Sequence, residues 1–553
     1  MKGKEALLLL MEQFGVEYVF GIPGATEIFF MDALEKSGKF HYILSLHEVV
    51  CVGMAEGYAR ASGKPAFLNL HTGPGTAAAM PMLVNAMNGR VPMVVTVGQN
   101  DSRLLQYDPQ LSGDIIGMAG PVTKWCAEIW SAEDLPAVMR RAFKMAMQAP
   151  CGPVLVSLPS DVLEQELTFE SRSATEVYPR LRPDADALDK AVSLIKDAKA
   201  PVMLVQEGVA RSGALDETVK LAETLGAPVY QAWMGDVNFP VGHPLYRGDI
   251  DTTGPVLQEL LQKSDLLVGV GCQLFNDAFY SGRKILPDGV KVIQINDDPW
   301  EIGKNFPVDC GLLGDVKTSL EELNILLAAS LSGEYRREAN ARALRIKEET
   351  DRAKSALRAR IEAEESNSPI AVTHLMETLR KVLPENYVVV DDCWSSSQML
   401  RHILEPSETG SYIKCRNGGS IGFGLPGGMG VKLGNPDKKV VVVSGDGSAA
   451  WSMQSFWTAA HYKIPVVFIV TNNATYRQVK VVRRIILGDY PLNERHDGME
   501  LTDPVISFCG LAEAQGVKGF AVRDPAELEA TLKTALELDE PVLVEVFIEN
   551  SAK

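Results

Sequence analysis

The sequence predicts an α/β protein made of three doubly wound parallel-sheet domains, and three observations carry that expectation. At 553 residues the chain is too long for one hydrophobic core, and domains of about 150–200 residues are the natural division. Short apolar runs alternate with helix-length stretches, the pattern of strands joined by crossover helices. Glycine-rich turns such as Gly445-Asp-Gly447 close strand-like runs, where the chain must swing sharply into a helix.

The first block, residues 1–172, alternates helical patterns at 4–14 and 49–62 with apolar strands at 18–21, 66–70, 93–97 and 154–157. The polar, proline-rich connection Tyr178-Pro-Arg-Leu-Arg-Pro183 ends it. The second block, residues 185–330, repeats the alternation with strands at 201–205, 228–231, 266–270 and 290–296. Its Gly269-Val-Gly271 lacks the third glycine of a dinucleotide fingerprint and reads better as a tight βα turn. Residues 331–366 are densely charged with both signs mixed, which predicts a solvated helical linker. Ser368-Pro369 then predicts a helix start, with a cap and a proline in the first turn. The third block, residues 367–553, has strands at 387–391, 440–444, 466–470 and 542–547. Blocks one and three share a plan of helix, strand and glycine-rich turn, which hints at duplication.

Bulk properties narrow the partners. A net charge of −17 argues against nucleic acid and anionic membranes as ligands. The eight cysteines contain no CxxC pair, so neither a disulfide framework nor a zinc site is expected, and a reducing cytoplasm fits. The apolar run at residues 6–11 is too short for a signal peptide core and predicts a core-facing helix. No apolar run reaches the length needed to span a bilayer.

The strongest chemical signal is Val442-Val-Ser-Gly-Asp-Gly-Ser448, with 24 residues between Gly447 and the pair Asn472-Asn473. If the flanking strands are parallel neighbours, Asp446 and Asn473 meet at one carboxyl edge of a sheet. Their hard oxygens suit Mg²⁺ holding a phosphorylated cofactor. The competing reading is an ordinary αβ turn. Glu48, in Leu44-Ser-Leu-His-Glu48, follows a strand-like run and begins the helix 49–62. An acid there is by itself a cap or dipole partner; beside the Gly-Asp-Gly motif it becomes a candidate catalytic carboxylate.

The chain resembles the thiamine diphosphate enzymes of the decarboxylase and acetolactate synthase superfamily, with the benzoylformate decarboxylases the nearest group. The resemblance rests on Val19-Phe-Gly-Ile-Pro-Gly24, Glu48 with Glu56-Gly-Tyr-Ala-Arg60, Lys64-Pro-Ala-Phe-Leu-Asn-Leu-His71, Gly418-Gly-Ser-Ile-Gly-Phe-Gly-Leu-Pro426 and Thr458-Ala-Ala-His-Tyr-Lys-Ile-Pro465. It implies a pyrimidine-binding domain, a central domain and a diphosphate-binding domain in that order. It also implies that Glu48 activates the cofactor through the pyrimidine N1′. Asp446 and Asn473 would ligate Mg²⁺, with the Thr475 carbonyl as a third protein ligand. Gly447, Ser448 and Tyr476 would hold the diphosphate, while Pro23, Gly24 and Gly419 would lie against the cofactor. Ile421 would be an apolar wedge bending the cofactor, although a buried isoleucine is more often simple core. His71 would move protons or orient a substrate carboxylate, against the alternative of a structural histidine. Gln110 aligns with a glutamine that carboligases place near the cofactor.

Two departures separate this chain from benzoylformate decarboxylases, which carry a serine where Ala25 stands and a histidine where Ala278 stands. Losing a hydroxyl and a proton relay favours carboligation over fast protonation. Arg477, Arg483 and Arg484 either grip a second anionic group or form a solvated helix face. The expected activity is a thiamine diphosphate- and Mg²⁺-dependent 2-oxoacid decarboxylase. The alternatives are a carboligase or C–C lyase of acetolactate synthase or acyl-CoA type, and a catalytically silent cofactor-binding subunit. Small 2-oxoacids or aldehydes are the expected substrates. The family's sites lie between chains, so a homodimer is the minimum and a homotetramer the expectation.

Overall fold

The computed structural model describes residues 1–170, 178–250, 254–276, 284–415, 418–488, 491–492 and 494–550. The first sheet contains β1 (Tyr18–Gly21), β2 (His41–Leu44), β3 (Ala66–His71), β4 (Met93–Gln99), β5 (Trp125–Glu128) and β6 (Pro153–Pro159). The second contains β7 (Pro201–Val205), β8 (Val229–Ala232), β9 (Tyr246–Ile250), β10 (Leu266–Val270), β11 (Lys291–Asn296) and β12 (Cys310–Leu313). The third contains β13 (Tyr387–Asp392), β14 (Tyr412–Lys414), β15 (Lys439–Gly445), β16 (Val466–Asn472), β17 (Lys518–Val522) and β18 (Val542–Phe547).

The three sheets are six-stranded and parallel, as the alternation predicts. Their orders are β2-β1-β3-β4-β6-β5, β12-β11-β10-β7-β8-β9 and β14-β13-β15-β16-β18-β17. The first and third orders are identical once numbering restarts at β13, which supports the hint of duplication. Interior strands are buried on both faces: Val440 to Val443 of β15 have no exposed surface. The first helix, Gly3–Gln13, turns Ala6, Leu7, Leu10 and Met11 into the core, as a core-facing helix should. In the second sheet Gly271 sits at φ +59°, and a Cβ on it would lie 2.6 Å from the Gly208 Cα. The Gly208 N–H donates to the Gly271 carbonyl at 2.9 Å, so these glycines bring two βα turns together.

By contact the chain divides into two compact units. One comprises residues 1–177, 366–397 and 415–553, the other residues 178–365 and 398–414. In the second unit the helix Gly333–Glu364 occupies the charged stretch, but it is not solvated all round. Arg342 donates to the Leu225 carbonyl at 2.7 Å, Thr350 to the Pro244 carbonyl at 2.9 Å and Lys354 to the Gly242 carbonyl at 3.1 Å. Its anchors are loop carbonyls reached by long polar side chains, which a hydropathy pattern does not reveal. The expected helix start at Ser368-Pro369 is also corrected. The helix runs Val372–Val382, because Ile370 is drawn into a parallel bridge with Ile548, where Glu549 N–H donates to its carbonyl at 3.0 Å.

In the first unit, blocks one and three are joined by the helices Glu48–Ser62 and Gly424–Gly434, which touch backbone to backbone. A Cβ on Gly57 would overlap the Gly427 carbonyl, and one on Gly430 would overlap the Met54 carbonyl. Beside this contact Arg60 and Glu56 form a buried ion pair at 2.9 Å, and the Arg60 guanidinium lies 5.4 Å from the centre of the Phe423 ring. No helix among the described residues is long and apolar enough to cross a membrane.

Candidate active site

The Gly-Asp-Gly turn and the asparagine pair meet as their spacing predicts. β15 and β16 pair in parallel with Gly445 opposite Thr471, so Asp446 and Asn473 leave the same sheet edge. Asp446 is buried at the first position of the short helix Asp446–Trp451. Its Oδ1 accepts from Gly447 N–H at 2.9 Å, while Oδ2 is buried with no hydrogen-bond partner. Burial lifts its carboxyl to about 6; the amides of Gly447, Ala474, Asn473 and Thr475 pull the other way. A Cβ on Gly447 would lie 2.5 Å from the Tyr476 ring, and one on Gly445 would meet nothing within 4 Å. The turn is therefore open on one side and floored by an aromatic ring on the other.

The loop after β16 is firmly held. Asn473 Oδ1 accepts from Thr475 N–H at 3.1 Å. Tyr476 N–H donates to the Met499 carbonyl at 2.7 Å, and Leu501 N–H to the Ala474 carbonyl at 2.8 Å. Lys480, almost fully buried, pairs with Glu500 at 2.6 Å behind this loop. Asn472 plays a different part, since its amide donates to Glu545 at 2.7 Å and ties β16 to β18. The Asn472 side chain is thus committed to the sheet, while that of Asn473 belongs to the loop beside Asp446.

Glu48 is the first residue of its helix, with His47 as N-cap accepting from Val49 N–H at 3.1 Å. Block three fixes the approach to it. Leu44 N–H donates to the Tyr462 hydroxyl at 2.8 Å, and Thr458 Oγ1 donates to the Leu44 carbonyl at 3.3 Å. The Glu48 carboxylate lies over Gly75, where a Cβ would be 3.2 Å from Oε1 and 3.8 Å from the His71 Cβ. No hydrogen bond or ion pair engages Glu48 among the described residues.

His71 ends β3 and has a partner that sequence reasoning missed. Its Nδ1 is 2.7 Å from Glu27 Oε2 and 3.2 Å from Thr26 Oγ1. Glu27 is 1% exposed and also accepts from Gly24 N–H at 2.8 Å and from Thr26 Oγ1 at 2.7 Å. A Cβ on Gly24 would overlap the imidazole, and one on Gly98 would overlap Glu27 Oε1, so glycines make room for the pair. The signal available in the sequence was an acid placed directly before Ile28-Phe-Phe-Met31, where an apolar stretch begins. Pro23 and Gly24 lead into this cluster, and Ala25 stands exposed beside it.

Other expected residues fare differently. Ile421 is half-buried, in a loop where Gly419 has φ +80° and nothing within 4 Å of its Cβ position. Ser448 is buried one turn into the Asp446 helix. Gln110 is exposed, and its carbonyl accepts from the Asn100 side-chain amide at 3.1 Å. Arg477, Arg483 and Arg484 lie on the helix Arg477–Leu487. Ala278 falls outside the described residues.

Comparisons with known proteins give the family of the chain. Three family profiles match: the N-terminal thiamine pyrophosphate-binding domain over residues 1–118, the thiamine pyrophosphate enzyme central domain over 188–323, and the C-terminal thiamine pyrophosphate-binding domain over 394–546. The chain is 31% identical to a benzoylformate decarboxylase of Pseudomonas aeruginosa, covering 97% of each. It is 30% identical to a probable acetolactate synthase large subunit of Methanococcus aeolicus, covering 100% of this chain and 93% of that one. Among solved structures, a thiamine diphosphate-dependent 4-hydroxybenzoylformate decarboxylase of Rhodococcus jostii RHA1 superposes with a TM-score of 0.87 at 29% identity, over the full length of both chains. The chain therefore belongs to the thiamine pyrophosphate enzymes, in the family of decarboxylases and acetolactate synthases.

Proposed function

We propose that this chain is a thiamine diphosphate- and Mg²⁺-dependent 2-oxoacid decarboxylase of the benzoylformate decarboxylase kind. The observation that carries this reading is the buried Glu27 carboxylate 2.7 Å from His71 Nδ1, beside Glu48. A carboxylate at Nδ1 holds a proton on the imidazole and leaves Nε2 to deliver one, which release of a free aldehyde requires. A second reading, carboligation, is favoured by Ala25, which is exposed and offers no hydroxyl, while the Thr26 hydroxyl is turned inward to Glu27.

Residues 1–172 would bind the pyrimidine, 185–330 form the central domain, 331–366 link, and 367–553 bind the diphosphate. The unpartnered Oδ2 of Asp446 and the oxygen-rich donor set fit a hard cation, so Asp446, Asn473 and the Thr475 carbonyl would hold Mg²⁺. Gly447, Ser448 and Tyr476 would hold the diphosphate, and Pro23, Gly24, Gly419 and Ile421 the rings. When bound, thiamine diphosphate supplies the electron sink for the pair left behind as carbon dioxide departs. Glu48 shares a proton with the pyrimidine N1′, and His71 exchanges one with the substrate at Nε2. The exposed Ile28, Phe29 and Leu46, adjacent in sequence to Glu27 and Glu48, are apolar surface that a second copy would cover. A homodimer at least, with pairing into a homotetramer, is the assembly this reading requires.

The deciding experiment supplies benzoylformate, pyruvate and glyoxylate to the holoenzyme, with and without an acceptor aldehyde. Carbon dioxide with free aldehyde is the expected outcome; a 2-hydroxyketone as the sole product would transfer the assignment to carboligation.

Two further results are expected. Glu27→Gln keeps the shape of the pair but removes the carboxylate that orients the imidazole at Nδ1, so kcat for aldehyde release should fall by about 10²–10⁴-fold while cofactor affinity is kept. Steady-state rates beside a cofactor titration measure it; an unchanged kcat would remove His71 from the proton path. The second result concerns Asp446. Its carboxyl is raised to about 6, so the neutral form's contribution to apoprotein stability is complete at low pH and disappears as pH rises through about 6. A cation needs the ionised form, so affinity for cofactor with Mg²⁺ should fall about tenfold per pH unit below about 6. Titration followed by tryptophan fluorescence at pH 5 and pH 7.5 measures it.

A further inference from the structure

Ile421 owes its place to a residue far away in the chain. Asn85 lies in the helix Thr72–Asn88 of block one and has no exposed surface. Its side-chain amide engages both backbone polar groups of a single residue of block three. Oδ1 accepts from Ser420 N–H at 3.0 Å, and Nδ2 donates to the Ser420 carbonyl at 2.9 Å. A strand neighbour satisfies a residue in the same two-point way, and here it secures a loop that has no strand beside it.

The rest of the loop is shaped around this contact. Gly418 lies flush on the helix, because a Cβ there would overlap Asn85 Oδ1. On the other side Gly422 takes φ +91°, and a Cβ on it would lie 2.7 Å from the Trp451 Cβ. Trp451 is the last residue of the helix that Asp446 begins. The loop from Gly418 to Gly422 is therefore gripped by Asn85 at one end and by the diphosphate-side helix at the other, with Ile421 between.

We infer that Asn85 is a positioning residue that sets the height of Ile421 against the cofactor, and so governs how readily the bound cofactor loses its reactive proton. The inference rests on the proposed role of Ile421 as the wedge. Asn85 has no part in the proposed diphosphate and metal contacts, which would come from Asp446, Gly447, Ser448, Asn473, Thr475 and Tyr476. Replacing it separates binding from activation. Asn85→Ala leaves two backbone groups of the loop without their partner, and Asn85→Asp places an acceptor against the Ser420 carbonyl. A displacement of about 1 Å at a reacting centre costs on the order of 100-fold.

The test is a double-mutant cycle on Asn85→Ala and Ile421→Ala, read without turnover. Three quantities are measured in each variant: thermal stability, cofactor affinity in the presence of Mg²⁺, and the hydrogen–deuterium exchange rate at C2 of the bound cofactor. We expect Asn85→Ala to retain cofactor within about threefold of wild type while exchange slows by about 10–100-fold. The double variant should exchange no more slowly than Ile421→Ala alone, since Asn85 acts through Ile421. Multiplying losses in the double variant would overturn the inference, as would Asn85→Ala exchanging at the wild-type rate. A purely structural Asn85 would instead lower melting temperature and affinity together and leave exchange per bound cofactor unchanged. If Ile421→Ala itself leaves exchange untouched, the wedge reading fails, and this is distinguishable from a failure at Asn85. Backbone amide exchange of residues 418–422 in the apoprotein gives a second reading: the Asn85→Ala loop should lose protection.

Discussion

Glu48→Gln should lower kcat/KM by about 10²–10⁴-fold while leaving the fold and the melting temperature of the apoprotein unchanged. The rate loss follows from chemistry: a carboxyl group can share its proton with a pyrimidine nitrogen, and a carboxamide of the same shape cannot transfer one. The unchanged stability follows from geometry. Glu48 is half-buried at the first helical position, its side chain engages no hydrogen bond or ion pair among the described residues, and its Oε1 lies 3.2 Å from where a Cβ on Gly75 would stand. An acid so placed contributes little to holding the helix, beyond a dipole interaction of about 0.3–1 kcal/mol. Glu56, eight residues further on, is the internal contrast. It is buried against Arg60 at 2.9 Å, and removing one member of such a pair costs about 3–5 kcal/mol. Glu56→Gln should therefore lower stability, and activity only as a consequence. Thermal unfolding of both variants beside their steady-state rates separates the two acids. Near-wild-type turnover by Glu48→Gln would remove it from the catalytic centre.

What was legible in the sequence follows burial. Every interior strand of the three sheets could be read, because strands covered on both faces are continuous apolar runs such as Val440 to Val443. The edge strands could not, apart from the strand-like run before Glu48 that contains β2. β5 is half-buried throughout, β12 alternates buried and exposed residues, and β14 is three residues long. In the candidate site, the two ends were legible because spacing along parallel neighbours brings Asp446 and Asn473 out at one sheet edge, and a strand-to-helix junction presents Glu48. Residues whose meaning lies in a distant partner were not. Glu27 matters because His71, 44 residues on, ends its strand 2.7 Å away. Asn85 matters because Ser420, separated by 335 positions, lies against it. Gln110 shows the converse: only a motif alignment marks it, and its exposed side chain carries no local signal of a role.

Gly430→Ala should be the most damaging single methyl group in the first unit. A Cβ at Gly430 would overlap the Met54 carbonyl and lie 2.7 Å from the Tyr58 amide nitrogen, both backbone atoms of the Glu48 helix. No side chain can rotate aside, so the helices themselves must part, and overpacking of this kind costs about 1–3 kcal/mol or more. The better helix propensity of alanine returns at most about 1 kcal/mol. A net loss of about 2 kcal/mol corresponds to a fall of about 3 °C in apparent melting temperature for a unit of this size. Gly57→Ala should act alike from the opposite helix, since its Cβ would overlap the Gly427 carbonyl. Gly120→Ala is the control: its φ is −47°, and a Cβ there meets nothing within 4 Å, so the midpoint should not move. The effect should also reach the site. The Glu48 helix begins at the proposed catalytic carboxylate and the Gly424 helix follows the Ile421 loop, so forcing them apart displaces groups that the proposed sites use. Activity of the Gly430→Ala protein at a temperature where it is fully folded should therefore fall more than Gly120→Ala allows, on the order of the 100-fold that a 1 Å shift brings. A Gly430→Ala enzyme that melts with the wild type would show that the two helices have room to yield, and the close glycine contact would then carry no constraint on the site.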